Sequence, residues 1–197
     1  MDSEILLIID ASEQYSRSTQ CFSAKQVAGL PEYKSWDHQI PLLDPNARIL
    51  MQAIYKTIWE EDKDLHKYLD KNIPTGKVRR SCSAATAPIV FVHKKDGSLR
   101  LSVDYRALNH LMISNKYPLP LISELLDKTR GGKWFTSLDQ KNGYNLIRIA
   151  VRDKWKTAFC IKQGLFEYTV MPFGLTNAPT SFQEMMDTIF KDVEGCI

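Results

Sequence analysis

A chain of 197 residues that is 44% hydrophobic and 25% charged can bury one good core or two small ones, and it carries neither the bias of a disordered chain nor a fibrous repeat. No apolar run approaches the roughly eighteen residues of a bilayer span, and Ile5 to Ile9 is too short and too acidic in its flanks for a signal peptide, so no membrane role and an intracellular protein are expected. The net charge of +3 hides an uneven distribution: residues 77–116 carry 8 basic and 2 acidic side chains, a local +6, which suits a surface laid along a phosphate backbone or an ordinary solvated face.

Residues 1 to about 30 show no clear pattern and read as a loose leader or connector. Trp36-Asp37-His38-Gln39-Ile40-Pro41-Leu42 suggests an extended segment with an aromatic anchor, in which His38 is a hydrogen-bonded structural residue. Thr57-Ile58-Trp59-Glu60 has the spacing of a capping box. It predicts a helix to about Lys71, with Ile58, Leu65 and Leu69 on one face, closing before Pro74 and Gly76. Pro88 to Val92 reads as a buried strand, Asp96-Gly97 as a turn and Leu99 to Val103 as the returning strand, together a basic hairpin with charges at its tip.

Pro118 and Pro120 close the next loop, and Leu121 to Arg130 is expected to be a helix ended by Gly131-Gly132. Trp134 to Asp139 reads as a strand ending on a carboxylate, followed by the polar turn Gln140-Lys141-Asn142-Gly143-Tyr144. A strand-end Asp also serves as a turn former or helix N-cap. A further hairpin is predicted from Trp155 to Met171, turning at Gln163-Gly164. A helix then starts at Asn177 to Pro179, with Phe182, Met185, Met186, Ile189, Phe190 and Val193 inward. This order of strands and helices argues for α+β layers rather than βαβ repeats. Cys21, Cys82, Cys160 and Cys196 form no CxxC pair and the four histidines are dispersed, which favours reduced thiols over a disulfide framework or a zinc site.

Six blocks identify a resemblance: Val92 to Arg100, Val103 to Asn109, Tyr117 to Pro120, Phe135 to Asp139, Trp155 to Phe159, and Met171-Pro172-Phe173-Gly174-Leu175-Thr176-Asn177-Ala178-Pro179. Together they resemble the reverse transcriptases of gypsy-type LTR retrotransposons, from about Leu30 to Ile197. The resemblance implies one incomplete right-hand polymerase domain, with 1–30 as leader or protease-polymerase connector, 31–134 mainly fingers, and 135–197 the first part of the palm with the fingers return. Its implied activity is RNA-directed DNA synthesis on an RNA or DNA template with a primer, using deoxynucleoside triphosphates and two Mg2+ ions, with Mn2+ an alternative. A cytoplasmic particle or the nucleus is the implied setting.

Residue by residue, Asp139 matches the first metal-binding and catalytic carboxylate, and the Gln140 backbone carbonyl would be a further ligand. Lys94, Lys95 and Arg100 match the phosphate clamp of the fingertips. Asn142 and Gly143 would offer backbone N–H groups to the triphosphate, and Tyr144 matches the aromatic gate that collides with a ribose 2′ hydroxyl. Phe173 and Gly174 match the loop beside the incoming nucleotide, while Arg106, Asn109 and Pro179 lie on the template and primer side. Three positions depart from the family: Arg80 and Ala84 stand where proline is usual, and Gln140 where an apolar residue is usual.

The family's Tyr-x-Asp-Asp hairpin and its thumb, connection and ribonuclease H portions have no counterpart in this sequence. Residues 1–197 alone are therefore expected to be inactive, completed by C-terminal polymerase portions, or else to be a nucleic-acid-binding remnant. In the second case the +6 segment should still hold template and primer, in a salt-sensitive way. Changing Lys94, Lys95 and Arg100 together should weaken binding and lower the slope of log K against log salt by up to about 3 in an anisotropy titration; an unaltered slope contradicts it.

Overall fold

The computed structural model describes residues 29–47, 49, 53–93, 97–133, 140 and 142–191. Helix α1 (Trp59–Asn72) comes first, then strands β1 (Val78–Arg80), β2 (Ala87–His93) and β3 (Leu99–Val103). Short helices α2 (Arg106–Leu111) and α3 (Ile122–Lys128) follow, then 3-10 turns at Gly143–Leu146 and Val151–Thr157, strands β4 (Phe159–Ile161) and β5 (Gly164–Tyr168), and helix α4 (Ala178–Ile189).

The strands form one sheet in the order β1-β5-β4-β2-β3. β2 and β3 are an antiparallel hairpin in register from Ile89 opposite Val103 to His93 opposite Leu99. β4 lies parallel to β2, with Ala87 opposite Phe159, and returns antiparallel through β5. This parallel pairing brings residues some seventy positions apart to one place, so the basic hairpin and the later half of the chain share a sheet. Phe159 is the hinge of the packing: fully buried, it stacks on Phe166 at 6.0 Å and lies 5.2 Å from Tyr168. Burying such a ring contributes about 1.5–3 kcal/mol. Leu65 and Leu69 of α1 enter the same core as Tyr105, whose hydroxyl donates to the Thr157 carbonyl at 2.8 Å.

Residues 38–42 lace the early and late parts of the chain together. His38 N–H donates to the Arg148 carbonyl at 2.8 Å and the Ala150 N–H returns to His38 at 2.9 Å. The buried Asp153 carboxylate accepts from the Ile40 N–H at 2.9 Å and from the Lys156 ammonium at 2.7 Å. Next to it the His38 ring, fully buried, meets the Ser181 hydroxyl of α4 at 2.8 Å through Nδ1. His38 is thus the structural residue expected, and a buried ring in that position joins the extended segment to α4.

Several expectations shift. α1 begins at Trp59 rather than after Thr57, and Glu61, not Glu60, accepts from the Ile58 N–H at 2.8 Å, while the Thr57 hydroxyl donates to Asp62 at 2.5 Å. Ile58 is 60% exposed and off the core, because it precedes the helix and no longer shares the Leu65 and Leu69 face. α3 is shorter than expected and buries none of its residues. In the second hairpin, Trp155 falls in a 3-10 turn and the strands occupy only Phe159 to Tyr168, with Gly164 at φ +130 opening the return. Ile189 and Phe190 are exposed rather than inward at the end of α4. The Asp96 side of the first turn, the Trp134 to Asp139 strand, and Val193 lie outside the described residues. Cys82 and Cys160 are free thiols.

Burial lowers the His38 pKa to about 4, with the nearby Asp153 charge opposing the shift. The unfolded chain therefore takes up a proton on this ring near pH 6.5 and the folded one does not. The stability it supports is full above pH 6.5, falls between 6.5 and 4, and levels off below, by up to about 3 kcal/mol at 1.36 kcal/mol per unit. Urea midpoints across that window should fall in the wild type and fall less in His38→Gln; equal slopes would contradict this.

Candidate functional site

Loop 173–176 is the ground on which the site is built. Gly174 sits at φ +99, and a Cβ there would lie 3.2 Å from the Val103 carbonyl and 3.4 Å from the Tyr105 ring, so only glycine fits the loop so close to the end of β3. Asn109 of α2 then pins it with both ends of its amide: Nδ2 donates to the Gly174 carbonyl at 2.8 Å and Oδ1 accepts from the Thr176 N–H at 3.0 Å. Asn177, next in sequence, donates to the Ile113 carbonyl at 2.8 Å and accepts from the Asn115 N–H at 3.0 Å. Two asparagines thereby lock the entry of α4, in whose first turn Pro179 stands.

With the loop held, Phe173 projects half into solvent and meets two partners. The Arg100 guanidinium of β3 lies over its ring, 3.8 Å from the centroid. Tyr144 contacts it at 4.9 Å and Phe182 of α4 at 5.5 Å, so Tyr144 is wedged between two rings. The turn that carries Tyr144 starts from Asn142, at φ 58, a left-handed conformation asparagine tolerates. Gly143 follows because a Cβ there would stand 3.0 Å from the Phe182 ring. The result is one continuous row, Arg100, Phe173, Tyr144 and Phe182, drawn from four separate parts of the chain.

Behind Gly174 opens a cavity of about 300 Å³ lined by Val90, Asp104, Tyr105, Arg106 and Asn109. Arg106 grips Asp104 there, Nη2 to Oδ2 at 2.7 Å and Nε to Oδ1 at 2.9 Å. Hydrogen bonds from Arg106 hold the Asp104 carboxyl below the usual carboxylate range, against the opposing effect of burial. The guanidinium itself stays 81% exposed at the cavity mouth, and the Tyr55 hydroxyl reaches Asp104 at 3.4 Å.

The structure brings Arg100, Tyr144, Phe173 and Gly174 together with Asn142 and Gly143, and sets Arg106 and Asn109 on the other side of Gly174. Gln140 is exposed, and Lys94, Lys95 and Asp139 lie outside the described residues. Among the described residues no three His, Cys, Asp or Glu side chains are grouped to hold a metal ion. The described carboxylates thus make no cation cage of their own, and one built on Asp139 falls beyond them. Also among the described residues, no carboxylate forms an ion pair with Arg100, so its charge is available. Sequence reasoning missed Phe182 as the rear wall of Tyr144, placing it only on a helix core face. It also missed Asp104, although the spacing Asp104-x-Arg106 suits a local ion pair. The arrangement can seat an anion at Arg100 with a flat or sugar-like group against Tyr144 and Phe173.

Three kinds of likeness accompany this geometry. The family described as "Reverse transcriptase (RNA-dependent DNA polymerase)" matches residues 92–197. The transposon Tf2-7 polyprotein of Schizosaccharomyces pombe is 44% identical over 126 residues, 64% of this chain and 10% of the relative. The Tf2-3 polyprotein of the same yeast is 43% identical over 126 residues, again 64% and 10%. The chain thus spans about a tenth of the length of these curated relatives. Among solved structures, native prototype foamy virus protease-reverse transcriptase superposes with a TM-score of 0.72 at 19% identity, over 93% of this chain and 26% of that one. The foamy viral enzyme in complex with an RNA/DNA hybrid gives 0.66 at 19% identity, over 94% and 26%. At that identity the likeness speaks for the fold, which is the expected α+β fold of right-hand reverse transcriptases. No helix of the described residues is long and apolar enough to cross a membrane.

Removing the Asn109 amide leaves the Gly174 carbonyl and Thr176 N–H unbound. Asn109→Ala should cost about 1–3 kcal/mol in a urea titration, with Gly174→Ala costing a similar amount through its left-handed backbone; midpoints equal to wild type would show that the loop is not held this way.

Proposed function

Because the chain belongs to the reverse transcriptase family, we propose that it forms the fingers and first palm portion of a retrotransposon RNA-directed DNA polymerase, residues 31–134 mainly fingers and 135–197 palm. Convergence of Arg100, Phe173 and Tyr144, from a strand, a loop and a 3-10 turn, is the observation that carries this reading. An incoming deoxynucleoside triphosphate lies along that row, its phosphates on Arg100 and on Lys94 or Lys95, and the backbone N–H groups of Asn142 and Gly143 beside them. Arginine suits the task as a bidentate fork, and among the described residues no carboxylate forms an ion pair with it. Tyr144 closes the space beside the sugar C2′, so a ribose hydroxyl collides with a ring that cannot retreat into Phe182.

Template and primer meet the opposite side of Gly174. The recess of about 300 Å³ lined by Arg106 and Asn109 opens to solvent, and the exposed guanidinium supplies a phosphate contact at its mouth. Asp139 and the Gln140 backbone carbonyl would hold divalent cations, Mg2+ or Mn2+. Such cations, when bound, help deprotonate a primer hydroxyl and offset the triphosphate charge. The remaining carboxylates come from polymerase portions outside this sequence, in keeping with the tenth of the polyprotein length that the chain spans. A cytoplasmic particle or the nucleus is the proposed setting.

The test is primer extension on an RNA template by a polymerase that carries this sequence together with its downstream palm and thumb. Asp139→Asn should lower the rate at least a hundredfold, about 2.7 kcal/mol of barrier, without lowering Tm. Retained synthesis in that variant would remove Asp139 from the chemistry.

A further inference from the structure

We propose that Phe173 is the positioning residue shared by the phosphate clamp and the sugar gate, holding Arg100 through its ring face and Tyr144 through its side. This rests on the nucleotide reading given above. Phe173 is fixed from behind by the Asn109 amide and the Gly174 backbone and is 49% exposed in front, so its ring is both anchored and available. Arg100 sits 3.8 Å above the ring centroid with no ion pair among the described residues.

A carboxylate in the same place would orient Arg100 equally well, but it would compete with the triphosphate for the fork. An aromatic face fixes the guanidinium plane while leaving its N–H edges free to bind phosphate oxygens. Preorganising the fork lowers the entropy lost when nucleotide binds. The same ring meets Tyr144 at 4.9 Å on the flank opposite Phe182, 5.5 Å away. Without it, Tyr144 loses one of the two walls that keep its ring against the sugar. One side chain therefore links affinity for the phosphates with rejection of ribose, and the two properties are lost together.

The experiment is steady-state incorporation of deoxynucleotides and ribonucleotides by the polymerase carrying this chain with its downstream portions. Phe173→Leu keeps an apolar side chain and removes the π face. It should raise the deoxynucleotide KM about 3- to 30-fold, leave kcat nearly unchanged, and lower the discrimination against ribonucleotides several-fold, with an unaltered Tm. Phe173→Tyr should recover most of both losses, because a tyrosine face still accepts a guanidinium. Arg100→Ala should raise KM without relaxing ribose discrimination. If Phe173→Leu leaves KM or discrimination at the wild-type value, or if Phe173→Tyr is as impaired as Phe173→Leu, the shared role is wrong. If Arg100→Ala leaves KM unchanged, it is the nucleotide reading that fails, whatever Phe173 does.

Discussion

The site depends on the close approach of Gly174 to the end of β3, held by the two-ended hydrogen bonding of Asn109. At Gly174 a Cβ would lie 3.2 Å from the Val103 carbonyl oxygen, and with the Asn109 hydrogen bonds this close approach gives the residue before it, Phe173, its base. From that base follow the place of Arg100 above the ring and of Tyr144 beside it. The hydrogen bonds are neutral and individually worth about a kilocalorie, yet they act on one loop from one side chain, and losing either leaves a polar group without its partner. Precision here comes from a small polar brace and a missing Cβ rather than from a large apolar contact.

A second constraint works at longer range. β2 runs parallel to β4, and the extended segment around His38 pairs with Ile149, so early and late parts of the chain are stitched twice. The hairpin that carries Arg100 is thereby joined at its base, near Val103, to the loop that carries Phe173. A nucleotide that engages both the hairpin and the loop would bridge elements far apart in sequence but joined through one core. In this way a fold built on non-local strand pairing brings a strand, a loop and a 3-10 turn together within one short span.

Much of this was legible in the residues, element by element. β2, β3 and α4 follow from apolar runs and turn signals, and β3 occupies Leu99 to Val103 as read. The family blocks located Arg100, Tyr144, Phe173 and Gly174, which the fold assembles. What periodicity could not give was partnership. Phe182 scores as a core position whether it supports a helix or a Tyr144 ring, and nothing local distinguishes the two uses. The family blocks set Asn109 on the template side, and nothing local shows that its amide is also occupied at both ends by a loop 65 and 67 residues away. The capping residue slipped from Glu60 to Glu61 because adjacent acids offer the same chemistry one residue apart. The expected hairpin starts at Trp155, but a 3-10 turn there lets the Thr157 hydroxyl donate to the Lys154 carbonyl and accept from the Tyr168 N–H.

The central claim is that Arg100, presented on Phe173, receives the triphosphate. Equilibrium binding of a deoxynucleoside triphosphate to the polymerase on a chain-terminated primer and template tests it without any chemical step. Arg100→Ala should weaken nucleotide binding about tenfold or more while leaving primer-template affinity within about twofold, since a charge-assisted bidentate contact contributes about 1.5–3 kcal/mol. Unchanged nucleotide affinity, or an equal loss of both affinities, would contradict the account.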